Sequence, residues 1–170
     1  MVAFRKGFTL MEMLVVMGII SALFATAAPL LMQANRQYIL VRTKLELQQE
    51  ARGIMYVITR ALRQAEGDTI VISRADANQP FYSKISFTKY AVTPGVSPNM
   101  VFQQKGTVLY QLIGGTGRRV LSRNLQYLEF TFPRSDDMSI ISVSITLQKS
   151  IYEGRTKALH MASEKVRVMN

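Results

Sequence analysis

One carboxylate stands at the start of a long uncharged segment near the N-terminus. Glu12 is the only acidic residue before Glu46, and the 20 residues from Met13 to Met32 carry no charged side chain. A carboxylate costs roughly 2.5–3.5 kcal/mol at a bilayer centre and less near the interface, so its presence predicts a function. The local alternative is that Glu12 snorkels to the lipid headgroups and complements the positive end of the helix dipole.

Other residues give little support for enzyme chemistry. His160 is the only histidine and there is no cysteine, so a Ser-His-Asp triad would depend on His160, and no serine has the Gly-x-Ser-x-Gly surroundings of a nucleophile elbow. Without cysteine, the chain has neither a disulfide framework nor a thiolate metal site. We predict a protein that is not an enzyme and that needs no cofactor or metal.

Two short clusters are more simply explained as turns than as ligand sites. Gly114–Gly117 precedes two arginines but lacks the Lys-Ser/Thr ending of a phosphate-binding loop, so we expect a hairpin turn there. Asp136 and Asp137 are adjacent, which does not give the spaced ligands that calcium prefers. They predict a polar turn.

The uncharged run is long enough to cross a membrane. As a helix, 20 residues measure about 30 Å, the thickness of the hydrocarbon core. Arg5 and Lys6 lie just before it, and the positive-inside rule places them in the cytoplasm. We therefore expect a single-pass protein whose mass after Met32 is extracytoplasmic.

This beginning resembles the prepilin signal of type IV pilins and of type II secretion pseudopilins. The resemblance is carried by the basic pair Arg5-Lys6, by Gly7-Phe8-Thr9-Leu10, by Glu12 and by the apolar helix. It implies that a prepilin peptidase cleaves between Gly7 and Phe8 and methylates the amine of Phe8. Glu12 would then be the assembly residue that meets the amine of a neighbouring subunit, and Pro29 would kink the helix.

The family resemblance also implies partners and a location. These are a major pilin, other minor pilins or pseudopilins, the prepilin peptidase, an assembly platform protein and the inner membrane. Leu47–Arg52 and Arg60–Ala65 are similar to W-type minor pilins, and Lys165–Asn170 is similar to the end of J-type pseudopilins. The choice between type IV pilus and type II secretion stays open.

An ordinary secretory signal is the competing interpretation of the N-terminus. Ala25-Thr26-Ala27 has the small-x-small pattern of a signal-peptidase site, and cleavage there would release a soluble binding domain. A membrane-anchored binding domain that never polymerises is a related alternative. Two features argue against a cleaved secretory signal. Glu12 lies inside what would be its apolar region, and apolar residues continue past the proposed cleavage site to Met32.

An amphipathic helix is predicted from residue 33 to 66. Apolar residues recur at steps of three, four and seven, as expected for one buried stripe, and Gly67 is placed to end the helix. The stripe comprises Leu40, Leu47, Ala51, Ile54, Ile58, Ala61 and Ala65.

A sheet is predicted after Gly67, where period-two patterns and β-branched residues dominate. Short connections, including a hairpin at Lys105-Gly106, favour antiparallel pairing. In Ser139–Gln148 we expect Ile141, Val143, Ile145 and Leu147 to be the buried face. The remaining predicted strands are Thr69–Ser73, Phe81–Tyr90, Met100–Gln104, Thr107–Ile113, Leu125–Phe132 and Thr156–Val168, with loops at Ala75–Pro80 and Ala91–Asn99.

The predicted fold is therefore α+β, a long N-terminal helix with an antiparallel β-sheet head packed on its C-terminal half. The predicted segments are a leader at 1–7, a transmembrane or filament-core helix at 8–32, an amphipathic helix at 33–66 and a head at 67–170. The net charge is +10, which permits contact with DNA. Because the basic residues are scattered rather than clustered, the sequence gives DNA little support as a partner; an uptake pilus would be the setting of such a contact.

Overall fold

A computed structural model describes residue 7 and residues 9–90, 98–115, 117–151 and 156–168. Within these residues, one long helix, α1 (Leu10–Leu62), precedes a 3-10 turn at Gly67–Thr69 and eight strands. The chain divides into two compact units, with the boundary between Val41 and Arg42. The strands are β1 (Val71–Ser73), β2 (Lys84–Thr88), β3 (Asn99–Lys105), β4 (Val108–Ile113), β5 (Gly117–Ser122), β6 (Leu125–Thr131), β7 (Ile140–Ile151) and β8 (Thr156–Arg167).

The strands of the second unit form two antiparallel sheets. The first has the order β1-β2-β3-β4-β5 and the second the order β6-β7-β8. The sheets meet along β6, where the backbone N–H groups of Leu125 and Phe130 donate to the carbonyls of Thr107 and Tyr82, each at 2.9 Å. These bonds satisfy backbone groups that would otherwise be orphaned where the two sheets join.

The core lies between the sheets and the C-terminal part of α1. Phe87 and Phe102 come from the first sheet, with ring centroids 6.2 Å apart, and Phe130 comes from the second. The predicted stripe of α1 is buried from its second member onward, and Leu40 is half-buried. The buried helix residues include Leu47, Ala51, Ile54, Ile58, Ala61 and Leu62. The expected packing of a sheet layer on this half of the helix is confirmed.

The alternation predicted for β7 is also confirmed. Ile141, Val143, Ile145 and Leu147 are each 0% exposed, while the intervening residues Ser142, Ser144 and Thr146 are half-buried. Because side chains alternate along a strand, this pattern fixes the register of β7 between β6 and β8.

The predicted helix end was wrong by four residues. Helix α1 ends at Leu62 rather than at Glu66, and the next residues join the sheet. The N–H of Glu66 donates to the carbonyl of Thr88 at 3.0 Å, and the N–H of Tyr90 donates to the carbonyl of Gln64 at 2.8 Å. These sheet bonds replace helical ones, so Gly67 begins the 3-10 turn instead of capping α1.

The head differs from the prediction in two further ways. It contains two sheets rather than one, and β5 was missed, so a turn at Gly114 and Gly115 follows β4, and Gly117 begins β5. Gly114 and Gly115 have φ of 62° and 81°, which explains why glycine is needed there. Gly106, with φ of 60°, makes the predicted hairpin between β3 and β4. Residues 91–97 of the predicted loop and residues 152–155 lie outside the described residues.

An ion pair connects the β7–β8 hairpin to the helix. Lys149 Nζ lies 2.9 Å from Glu46 Oε2, and Arg42 Nε lies 3.3 Å from the other carboxylate oxygen. The hydrogen bond and charge of Lys149, with a smaller effect of Arg42, hold the pKa of Glu46 below its ordinary value. Nearby, Asn124 donates to Glu50 at 3.0 Å.

We expect Lys149→Met to loosen this hairpin at neutral pH. Since the pKa of Glu46 is lowered on folding, its stabilising contribution is present above the ordinary value of 4.5 and is lost as the pH falls through the folded value. Hydrogen exchange of the full chain in detergent micelles should therefore show faster β7–β8 exchange in the variant at pH 7 and a smaller difference in acid. Lys157→Met removes the same charge from β8, and an equal effect there would contradict a specific role for the ion pair.

Candidate processing and assembly segment

The predicted cleavage site lies just before α1. Gly7 is exposed and outside regular secondary structure, as a peptide bond must be to enter a protease. Phe8 and residues 1–6, which hold Arg5 and Lys6, lie outside the described residues. Cleavage and methylation at Gly7/Phe8 stay predictions.

Glu12 takes part in a capping box with Thr9 at the start of α1. The backbone N–H of Thr9 donates to Glu12 Oε2 at 2.9 Å, and the Thr9 hydroxyl donates to the same oxygen at 3.1 Å. In return the N–H of Glu12 lies 3.3 Å from the Thr9 hydroxyl oxygen. The first helical bond runs from the N–H of Met13 to the carbonyl of Thr9 at 3.2 Å. Thr9 is therefore the N-cap, and the pair satisfies amide groups that have no helical partner.

The capping box positions the Glu12 carboxylate and uses only one of its two oxygens. Both bonds from Thr9 reach Oε2, and the described residues place neither a hydrogen-bond donor nor a basic group on Oε1. Glu12 is exposed in the single chain. One carboxylate oxygen is thus available to a cation from another molecule.

Thr9 is the residue of this segment that was not predicted. Its role was visible in the spacing, since Thr9-x-x-Glu12 before an apolar run is the pattern of a capping box. The arguments that single out Glu12 are the cost of its charge in a membrane and its interaction with the helix dipole. Neither argument involves the residue three positions earlier.

The first part of α1 is apolar and uncovered. Its large side chains from Leu10 to Met32 are exposed, for example Phe24 at 73% and Leu31 at 71%, and the helix is long and apolar enough to cross a membrane. Its hydroxyl groups are satisfied internally, since Ser21 donates to the carbonyl of Met17 at 2.7 Å and Thr26 to that of Leu23 at 3.0 Å. These two hydroxyl groups therefore need no water.

Small residues line several positions of this apolar segment. They are Gly18, Ser21, Ala22, Ala25, Ala27 and Ala28, all exposed. Such residues let neighbouring helices approach closely in membranes. Pro29 lies inside α1, which is assigned as helix on both sides of it; the kink stays a prediction.

Asp136 and Asp137 make local contacts in the segment that was predicted to be a polar turn. Arg134 pairs with Asp136 at 2.7 Å, and Asp137 accepts the N–H of Ser139 at 2.9 Å. Hydrogen bonds from Ser139 hold the pKa of Asp137 below its ordinary value. The polar turn is confirmed, and no group of three potential metal ligands occurs among the described residues.

The comparison with protein families identifies the N-terminal segment. Residues 3–28 match the family described as the prokaryotic N-terminal methylation motif, and this range contains Gly7, Phe8, Thr9 and Glu12. The chain is pilin-like. Comparisons with curated proteins and with solved structures gave no match.

The pilin-like chain combines this motif with an N-terminal apolar helix and antiparallel sheets on the helix's C-terminal part. Its role is structural rather than enzymatic, and the motif implies processing by a prepilin peptidase and assembly with pilins. The apolar helix and the motif together indicate a membrane-anchored prepilin.

We expect Thr9→Ala to fray the first turn of α1. The variant loses the side-chain acceptor for the N–H of Glu12, and loss of an N-cap typically costs about 1 kcal/mol. Hydrogen exchange of the full chain in nanodiscs should show faster exchange at Glu12 and Met13. Thr9→Ser keeps the hydroxyl and should exchange like the parent; if both variants behave alike, the capping box does not stabilise the helix start.

Proposed function

We propose that this protein is a minor pilin or minor pseudopilin. It is cleaved between Gly7 and Phe8, methylated on the new Phe8 amine and added through α1 to a type IV pilus or a type II secretion pseudopilus. The observation that carries the proposal is the methylation motif at residues 3–28. It stands at the start of a helix whose apolar side chains are uncovered in the single chain.

The proposed topology follows from charge. Arg5 and Lys6 keep the leader, residues 1–7, in the cytoplasm. Residues 8–32 cross the inner membrane, and residues 33–66 continue toward a head at 67–170 in the periplasm or at the cell surface. After assembly, residues 8–32 leave the lipid for the filament core.

The exposed apolar helix provides the driving force for filament packing. Side chains such as Phe24 and Leu31 avoid water only in lipid or against other helices. Identical or related helices packed head to tail make a contact that does not close on itself, and repetition of that contact generates a fibre.

Glu12 sets the axial register of the incoming subunit. Its free Oε1 accepts the positive amine of Phe8 from a neighbouring subunit, and the two charges offset each other in the apolar core. The capping bonds from Thr9 fix the carboxylate at the first turn, so the pairing geometry is preorganised. A subunit displaced along the axis would leave both charges unpaired.

The proposed partners follow from these steps of processing and assembly. The prepilin peptidase processes the chain in the inner membrane, an assembly platform protein moves it into the filament, and a major pilin with other minor subunits surrounds it.

Mass spectrometry of the protein purified from membranes tests processing directly. We expect a chain that starts at Phe8 with one N-methyl group. Gly7→Val should accumulate as the full-length precursor, because bulk at the cleavage site blocks the peptidase. A mature chain that starts after Ala27 would indicate a released secretory domain and would overturn the proposal.

Substitution of Glu12 tests the assembly step. We expect Glu12→Ala and Glu12→Gln to insert into the membrane normally but to be absent from sheared filaments, because neither can pair with a charged amine. Thr9→Ala is the comparison, since it removes the two hydroxyl bonds of the capping box but keeps the backbone bond and the carboxylate; it should reduce incorporation far less than the loss of the charge. Normal incorporation of Glu12→Gln would contradict a charge-pairing role. Absence of the parent chain itself from sheared filaments would favour a membrane-anchored domain that does not polymerise.

A further inference from the structure

A basic groove lies in the second unit between α1 and β8. It has a volume of about 560 Å³. We call it the arginine groove and define it by Arg52, Tyr56, Arg60 and Arg63 of α1 and Glu164 of β8. These α1 residues recur at steps of three and four, so they share one face of the helix, and all are exposed.

The three arginines of the groove have no acidic partner among the described residues. Each ion pair found there involves other side chains, at Glu46 or Asp136. Glu164 is the single carboxylate in the groove wall, and it does not pair with any of the three. The groove therefore presents uncompensated positive charge, which favours an anionic occupant.

Strand β8 offers a free hydrogen-bonding edge beside this groove. It is 12 residues long and pairs only with β7 among the described strands. Edge strands are usually protected by shortness, bulges or charge. By contrast, β5, an edge strand of the first sheet, has these protections: it has 6 residues, two adjacent arginines and a register shift against β4. The centre of β8 instead carries exposed apolar residues, Leu159 at 55% and Met161 at 74%.

We propose that the arginine groove and the free edge of β8 together bind an extended acidic segment of a neighbouring filament subunit, by addition of a strand to β8. The identity of the partner as a filament subunit rests on the proposed function. A second copy of this chain does not fit, because residues from Arg42 onward include eighteen basic and ten acidic side chains, and like-charged surfaces repel.

The geometry predicts the sequence pattern of the bound segment. Side chains of an added strand alternate between the two faces of the sheet. Those on the face of Glu164 point toward Arg52, Arg60 and Arg63, so acidic residues are required there. Those on the other face lie beside Leu159 and Met161, where apolar residues fit.

A smaller cavity adjoins the arginine groove and shares Tyr56 and Arg60 with it. It has a volume of about 240 Å³ and reaches Gln111 of β4. Gln111 is 4% exposed, and its side-chain oxygen has no hydrogen-bond donor. Buried acceptors are normally paired, so the wall of this smaller cavity holds an acceptor without its usual donor among the described residues.

Binding of a synthetic peptide to the full chain in detergent micelles tests the proposal. The probe is an eight-residue peptide of alternating Glu and Val, followed by fluorescence anisotropy. Because successive N–H groups of a strand point to opposite edges, two alternately N-methylated versions are compared. We expect one version to bind like the parent peptide and the other to lose binding by about tenfold or more. Equal binding of both versions, or no binding of the parent, would overturn strand addition.

Charge-reversal variants test the role of the groove. Arg60→Glu with Arg63→Glu should weaken peptide binding by about tenfold or more, whereas Arg118→Glu with Arg119→Glu makes the same charge change on β5 and should leave it unchanged. Equal losses in the two variants would mean nonspecific attraction. If a single-stranded oligonucleotide displaces the peptide and binds more tightly to the parent, the groove is a nucleic-acid surface and the proposal is wrong.

A photo-crosslinker at position 161 in assembled filaments tests the partner. An adduct on an alternating acidic segment of another subunit would support the proposal, and an adduct on an apolar helix would overturn it. The peptide assay needs neither cleavage nor assembly, so peptide binding without Phe8 methylation would overturn the proposed function and the identity of the partner, but not strand addition at β8. Methylation without peptide binding would overturn only this inference.

Discussion

The organisation of this protein depends on a single helix that must be covered in two different ways. Between Leu10 and Met32 the apolar side chains of α1 point in all directions and are exposed, so lipid or several other helices must surround them. From Leu47 to Leu62 only one face is buried, and the head's own sheets cover it. The second part makes the fold stable within one chain, whereas the first part requires an environment that the chain does not supply.

Glu12 and Thr9 show how a polar pair is accommodated at the start of such a helix. A helix start in an apolar medium exposes N–H groups with no partner, and a lone carboxylate there is also unfavourable. The capping box reduces both costs at once, because Thr9 and Glu12 satisfy each other's groups. The remaining oxygen of Glu12 keeps enough acceptor capacity for an intermolecular contact.

Most of the fold could be predicted because it is encoded in local periodicity. The uncharged run, the helical stripe around Ile54 and the alternation in β7 depend only on which faces meet water. Strand β5 could not be found in this way, since Arg118 and Arg119 break the alternation. Its position is set by pairing with β4 and by Arg118, whose guanidinium carbon lies 3.6 Å from the Tyr110 ring centroid. The end of α1 at Leu62 likewise depends on bonds to Thr88 and Tyr90, which are distant in sequence.

The contrast between the two units bears on which subunits can be neighbours in a filament. Apolar helices attract one another with little selectivity, because packing and lipid exclusion do not distinguish closely related surfaces. Charged heads distinguish strongly, since juxtaposed like charges cost several kcal/mol across an interface, and oppositely charged surfaces steer association. A second unit with eighteen basic and ten acidic residues from Arg42 onward is therefore poorly suited to stacking on copies of itself. Under the function proposed above, such a unit suits a minority subunit among more acidic neighbours. The charge of the second unit would then restrict an assembly reaction that the first unit drives.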